Sequence, residues 1–201
     1  RLTRENIAQA LELGGRLLLN TGVVGFKKKN GCIQAAILHN QKTDEKILIE
    51  ADQVVNAGGA WAGEVAALAG GRIELLYSKG SLLITHHRIA RRVINRLRPS
   101  SDADILVPGV TVSILGSTSV RIDALDNVRP TIEEIDYIIE AASAMVPALQ
   151  TMRYIRAYAG VRPLVGSKSL DNGRALSRGF ALIDHREDKL DNFISIVGGK
   201  L

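Results

Sequence analysis

A single cysteine, Cys32, stands in 201 residues, so no internal disulfide forms, and no His/Cys spacing suggests a metal site; the chain reads as the product of a reducing compartment such as the cytosol. Aromatic residues are scarce: three Phe, four Tyr and one Trp. With so few rings to stack on bases and with scattered basic residues, the net charge of +5 does not make a nucleic-acid surface. No apolar run reaches the ~20 residues that a membrane-spanning helix needs; the stretch ending at Leu19 and the segment 47–49 both fall short. An initiator methionine and a signal-peptide core are absent, Arg1 opening the chain. At the other end the chain stops at Gly198-Gly199-Lys200-Leu201, a glycine-rich turn of the kind that delivers a helix to a sheet. Both ends are expected to be cut within a longer polypeptide.

What is present is a 46% hydrophobic composition, enough to bury a core as one large domain or two small ones. Charge gathers in two places. Lys27-Lys28-Lys29 reads as a solvated turn before Asn30-Gly31. The arginines at 88, 91, 92, 96 and 98 could face a phosphate, an acidic partner or water, and the sequence leaves these open.

Thr3 is placed to cap a helix carrying Ile7, Ala10 and Leu11, ended by Gly14-Gly15. Segments 16–26, 32–39 and 46–50, separated by Gly31 and a polar turn at 40–45, predict a small antiparallel meander. Residues 51–56 predict a strand that runs into Ala57-Gly58-Gly59-Ala60-Trp61 and then a helix over 62–68. A strand feeding a glycine-rich turn and a helix lets backbone approach a nucleotide closely. Beyond Gly70-Gly71, strands are expected at 73–77, 81–85, 105–107 and 112–115. Thr131 with Glu134 forms a capping box, and Ile135, Ile138, Ile139 and Ala142 make the apolar stripe of one covering helix. Three further strands are expected at 154–165, 180–184 and 193–197, with a polar turn at Asp171-Asn172-Gly173.

The motifs carry a resemblance. Val55-Asn56-Ala57-Gly58-Gly59-Ala60-Trp61-Ala62 resembles the second flavin-contacting segment of the glycine oxidase and D-amino-acid oxidase superfamily. Tyr158-Ala159-Gly160-Val161-Arg162-Pro163-Leu164, with Gly198-Gly199-Lys200-Leu201, is similar to its FAD-dependent glycerol-3-phosphate dehydrogenase branch. Lys79-Gly80-Ser81-Leu82-Leu83-Ile84, His87-Arg88-Ile89, the stretch 101–109 and Leu176-Ser177-Arg178-Gly179 resemble the flavin-carrying polypeptide of the anaerobic type. These segments follow in the expected order over essentially the whole chain. Two departures matter. The family's N-terminal Gly-x-Gly-x-x-Gly is absent, and Gly14-Gly15 follows a helix instead of a strand, so the chain by itself is expected to bind FAD weakly or not at all. Leu82 stands where aerobic relatives carry an active-site histidine.

The resemblance implies a fold of α/β plus α+β class: a partial FAD-binding Rossmann-like domain with an antiparallel-sheet substrate (cap) domain. Its expected division is 1–71 for the FAD side, 72–160 for the substrate sheet and 161–201 for the return strands. It further implies FAD as cofactor and no metal, with Val23 and Val24 at the adenine, Ala57, Gly58 and Trp61 lining the cofactor, and Gly198 and Gly199 at the isoalloxazine. Arg162, Arg178 and Lys200 are implied around the substrate phosphate, because arginine's planar fork makes paired charge-assisted bonds; the structural alternative pairs such an arginine with Asp184 or Glu187. Lys200 beside the flavin is a candidate base or electrostatic stabiliser. His86 and His87, taken as adjacent in an extended segment, are expected on opposite faces. The implied reaction is oxidation of sn-glycerol 3-phosphate to dihydroxyacetone phosphate, with an iron–sulfur, membrane-anchoring partner subunit passing electrons to a quinone at the inner face of the cell membrane, and the isolated chain inactive. Two other readings stand beside it: an oxidase of the superfamily acting on an amino or hydroxy acid, and a non-catalytic assembly module docking through residues 88–98.

Overall fold

The structure, a computed structural model, describes residues 2–99, 101–166 and 179–198. Contacts divide the chain into two units, one of residues 1–56, 64–72 and 184–194 and one of residues 57–63, 73–183 and 195–201. The expected division after residue 160 falls within a strand, Tyr154–Val165, of the second unit.

In the first unit, α1 (Leu2–Glu12) precedes a meander of β1 (Thr21–Lys29), β2 (Cys32–Asn40) and β3 (Lys46–Glu50). β1 starts later than expected, at Thr21, because Leu17, Leu18 and Leu19 stay exposed outside the sheet. Asn30 and Gly31 both take positive φ, 51° and 78°, the geometry of a two-residue hairpin whose twist matches its strands, and Lys29 pairs with Cys32. The lysine run therefore ends a strand. Lys28 is not merely solvated, since its Nζ donates to Ala69 O at 2.6 Å, satisfying a carbonyl at the C-terminus of α2 (Ala62–Ala69). Asn192 ties β2 to the loop before β4 (Val54–Asn56): it accepts from Ile33 N–H at 2.8 Å and donates to Ile33 O and Asp52 O. Phe193, His185, Leu190, Ile33 and Ala66 are buried here.

The second unit is built on β5 (Leu75–Thr85), one strand where two were expected. It pairs with β10 (Tyr154–Val165) from Leu75 opposite Val165 to Thr85 opposite Tyr154. Beside it run β8 (Ser113–Gly116), β7 (Ile105–Pro108) and β6 (Ile94–Asn95), in the order β10-β5-β8-β7-β6, with β9 (Val120–Ile122) also on β5. Helix α3 (Ile132–Ser143) covers one face. Its capping box is complete: Glu134 N–H donates to Thr131 Oγ1 at 3.3 Å and Thr131 N–H to Glu134 Oε2 at 2.9 Å, worth about 1 kcal/mol. Ile138 and Ala142 pack on Leu83, Leu106, Leu115 and Leu149, all at most 2% exposed. Truncating any of the large ones to alanine costs about 2–5 kcal/mol. β11 (Phe180–Asp184) neighbours β12 (Phe193–Gly198), both close to their expected bounds.

Candidate functional site

Facing residues of an antiparallel pair share a side, so the register sorts the second unit's sheet into two faces. Lys79, Ser81 and Leu83 lie on the α3 side, and Ser78, Gly80 and Leu82 lie on the other, opposite Arg162, Gly160 and Tyr158 respectively. Arg162 therefore projects from the face opposite α3. Its guanidinium lies flat across Gly80, where an added Cβ would come within 2.3 Å of Nη2 and 2.5 Å of Nη1. Nη2 donates to Ser117 Oγ at 2.6 Å and Nη1 to Thr118 O at 3.2 Å. Leu82 packs on Gly116 of β8, which has no room for a Cβ. The Ser78 and Ser119 hydroxyls meet at 2.9 Å.

Thr118 is fixed from beneath. Its hydroxyl donates to Glu134 Oε1 at 2.8 Å and accepts from Ser81 N–H at 2.9 Å, while Glu134 Oε2 pairs with Lys79 Nζ at 2.8 Å. Both ion-pair side chains are nearly buried, 10% and 9% exposed. Burial alone would raise the Glu134 pKa, but the Lys79 ammonium, the Thr131 N–H and the Thr118 hydroxyl outweigh it and hold the carboxyl below its ordinary range. A continuous chain of contacts thus runs from the Lys79–Glu134 pair through Thr118 to the Arg162 guanidinium.

Of the other expected residues, Gly58 precedes and Trp61 ends a single 3-10 turn (Gly59–Trp61), with Trp61 N–H bonded to Gly58 O at 3.0 Å. This turn packs on β10, the strand of Arg162. Ala57 is exposed, Trp61 is 55% exposed, and an added Cβ at Gly59 would meet nothing within 4 Å, so an apolar ring and open backbone are both on offer. Gly198 has φ 77° and its Cβ would fall 2.6 Å from Gly179 O, so strand pairing alone requires glycine there. Val23 and Val24 belong to the first unit, beside a bulge in β1, and are 36% and 45% exposed. Arg178, Gly199 and Lys200 lie outside the described residues, as does the turn at Asp171-Asn172-Gly173.

Two expectations change. His86 and His87 follow the end of β5 and their rings meet edge to face, 5.8 Å apart, so they do not point to opposite faces. Asp184 is taken by Arg186, whose Nε donates to it at 2.7 Å, and Arg162 bonds to Ser117 and Thr118. Arg186 also holds the Asp184 carboxyl below its ordinary range, chiefly by side-chain hydrogen bonding. Sequence reasoning missed Ser117, Thr118, Lys79 and Glu134 as parts of the site. The available signal was the polar interruption Ser78-Lys79-Gly80-Ser81 inside an otherwise apolar strand.

The sequence profile described as "FAD dependent oxidoreductase" (DAO) matches residues 1–194. The chain is 45% identical over its whole length to one subunit of the anaerobic glycerol-3-phosphate dehydrogenase of Escherichia coli (strain K12), of which it covers 38%. It is 43% identical to the protein of the same name in Haemophilus influenzae, covering 36%. Among solved structures, the glycerol-3-phosphate dehydrogenase from Bacillus halodurans complexed with FAD superposes with a TM-score of 0.80 at 26% identity, over all of this chain and 39% of that one.

Proposed function

The chain belongs to the FAD dependent oxidoreductase family, and from that premise we propose that it is the interior, substrate-binding part of a flavoenzyme oxidising sn-glycerol 3-phosphate to dihydroxyacetone phosphate. The observation that carries this reading is Arg162, laid across Gly80 on the face of the substrate sheet opposite α3 and anchored by Ser117 and Thr118. A pre-oriented fork of this kind suits a phosphate dianion. The names of the two relatives and of the Bacillus structure support the substrate. FAD, when bound, supplies the hydride acceptor for the substrate C2. On this reading the backbone of Ala57 and Gly58 and the ring of Trp61 line the cofactor, Val23 and Val24 meet its adenine, and Gly198 and Gly199 approach its ring system. Arg178 and Lys200 join Arg162 at the phosphate, and Lys200 takes the hydroxyl proton or stabilises its loss; an unchanged rate in Lys200→Met refutes that role.

Because both relatives are named as one subunit of their enzyme, electrons are proposed to leave through an iron–sulfur, membrane-anchoring partner toward a quinone. Among the described residues no helix is long and apolar enough to cross a membrane; attachment at the inner membrane face is proposed to come through that partner. The test is product analysis. The intact flavoprotein, held without oxygen and given an artificial electron acceptor, is expected to convert glycerol 3-phosphate to dihydroxyacetone phosphate stoichiometrically; absence of that product refutes the proposal.

A further inference from the structure

The arginine cluster singled out in the sequence divides in the structure. Arg96 and Arg98 are engaged within the second unit, Arg96 Nη1 donating to Ala141 O at 3.4 Å and Arg98 Nη2 pairing with Asp104 Oδ1 at 2.8 Å. Arg88, Arg91 and Arg92 are exposed, and strand pairing brings them to one end of the sheet. β5 finishes there at Thr85, opposite Tyr154 of β10, and His86 N–H donates to Arg153 O at 2.9 Å. β8 starts at the same end, Ile114 facing Ile84, and Ile89 N–H donates to Ser113 Oγ at 3.0 Å. β7 finishes there, Pro108 facing Ser113, so residues 109–112 are the tip of the β7–β8 hairpin. Because Ile94 of β6 faces Leu106, residues 91–93 lead into β6 from the tip side. Val110 stands at the tip, 91% exposed, and Val93 is 54% exposed. The bond from Gly109 N–H to Val112 O at 2.8 Å closes the turn that presents Val110. Arg153 and Arg156, at the start of β10, are exposed as well. Residues 86–93, 107–114 and 151–157, which form this end, include no Asp or Glu, so their charge is of one sign around an apolar projection.

Two contributions add at an anionic bilayer: apolar side chains leave water for the acyl boundary, and guanidinium groups meet lipid phosphates without needing a fixed register. A protein partner is held instead by aromatic anchors and specific pairing. The segments at this end contain one tyrosine, Tyr154, whose hydroxyl is committed to Leu149 O at 2.6 Å. We propose that this end of the substrate sheet rests on an anionic phospholipid surface, with Arg91, Arg92 and Arg153 at the headgroup phosphates and Val110 entering the interface. The contact belongs to this chain itself, is additional to attachment through a partner subunit, and stands independently of the substrate.

The test is co-sedimentation of the intact flavoprotein, purified apart from any partner subunit, with vesicles of equal parts phosphatidylglycerol and phosphatidylcholine or of phosphatidylcholine alone. Wild type is expected to sediment with the anionic vesicles, less so as salt is raised. One arginine near such a surface is worth about fivefold in binding, so Arg91→Ala with Arg92→Ala is expected to weaken it at least about tenfold. Val110→Ser is expected to weaken it at least about threefold, the scale of one buried methylene. Lys27→Ala with Lys29→Ala removes the same charge from exposed positions in the first unit and is expected to leave binding near wild type. All the changed side chains are exposed, so thermal melts should agree across the set. Absence of binding, equal binding to the neutral vesicles, or binding that ignores either the arginine pair or Val110→Ser overturns the proposal. Failure to bind vesicles while the arginine pair is needed to capture a partner subunit makes the surface a protein interface, and overturns it too.

Discussion

Gly80 and Arg162 depend on each other. The atoms an added methyl would strike are the far end of a flexible side chain, so Gly80→Ala is accommodated by moving the guanidinium and leaves the backbone pairing with Gly160 in place. The expected outcome is a melting temperature within about 2–4 °C of wild type, since a change of order 1 kcal/mol moves a chain of this size that far, together with a loss of at least about tenfold in kcat/KM for glycerol 3-phosphate, because misplacement by an ångström is that costly. Steady-state kinetics beside a thermal melt checks both. Unchanged kinetics would show that the position of Arg162 over Gly80 is incidental. At this scale the sequence was only partly legible. Arg162 and Gly80 stood out through their motifs, but what joins them is the register of two strands some eighty positions apart, which no local pattern encodes. Ser117 and Thr118 carry no signature in a stretch of small polar residues; only their carbonyl and hydroxyl positions make them ligands of the guanidinium.

Elements were more legible than sites, because each long one carries its own periodicity and punctuation. The helix capped by Thr131 and Glu134 begins where expected, and the strands over 154–165 and 180–184 take their expected bounds. The two expected strands at 73–77 and 81–85 merge because Ser78, Lys79 and Gly80, which look like an interruption, each have a reason to stay in the sheet: a hydroxyl partner, an ion pair and a guanidinium cover. β6 and β9, two and three residues long, are too short to show a period.

The Lys79–Glu134 pair joins α3 to β5, and its titration is predictable in sign. A carboxyl held below its ordinary range contributes stability that is fully present above the unfolded pKa and is lost as pH falls through the folded one. The folded protein should therefore weaken on acidification below the ordinary glutamate range, and Glu134→Gln should remove that component. At neutral pH the substitution leaves Lys79 buried without its counter-charge, at a cost on the order of 3 kcal/mol. Chemical denaturation across the acid range distinguishes the outcomes: a variant whose stability falls with acid as steeply as wild type would show that Glu134 is not the group responsible. Since Glu134 also fixes Thr118, the variant is expected to raise KM for glycerol 3-phosphate as well.

For the molecule as a whole, the chain spans 38% of its Escherichia coli relative and shows a helix, α1, with no buried residue. Leu2, Ile7 and Leu11 are 58%, 36% and 46% exposed, an apolar stripe of the kind other polypeptide covers in a complete domain. The proposed function is one of the intact flavoprotein, and its central claim is that Arg162 holds the phosphate of a substrate whose C2 hydrogen leaves as hydride. The most direct measurement is anaerobic mixing of that flavoprotein with sn-glycerol 3-phosphate while its flavin absorbance is followed, in wild type and in Arg162→Ala. Rapid bleaching in wild type that the substitution abolishes, or moves to far higher substrate concentration, is the predicted result. A flavin that stays oxidised with glycerol 3-phosphate but bleaches with an amino or hydroxy acid, or bleaching indifferent to Arg162→Ala, would contradict it.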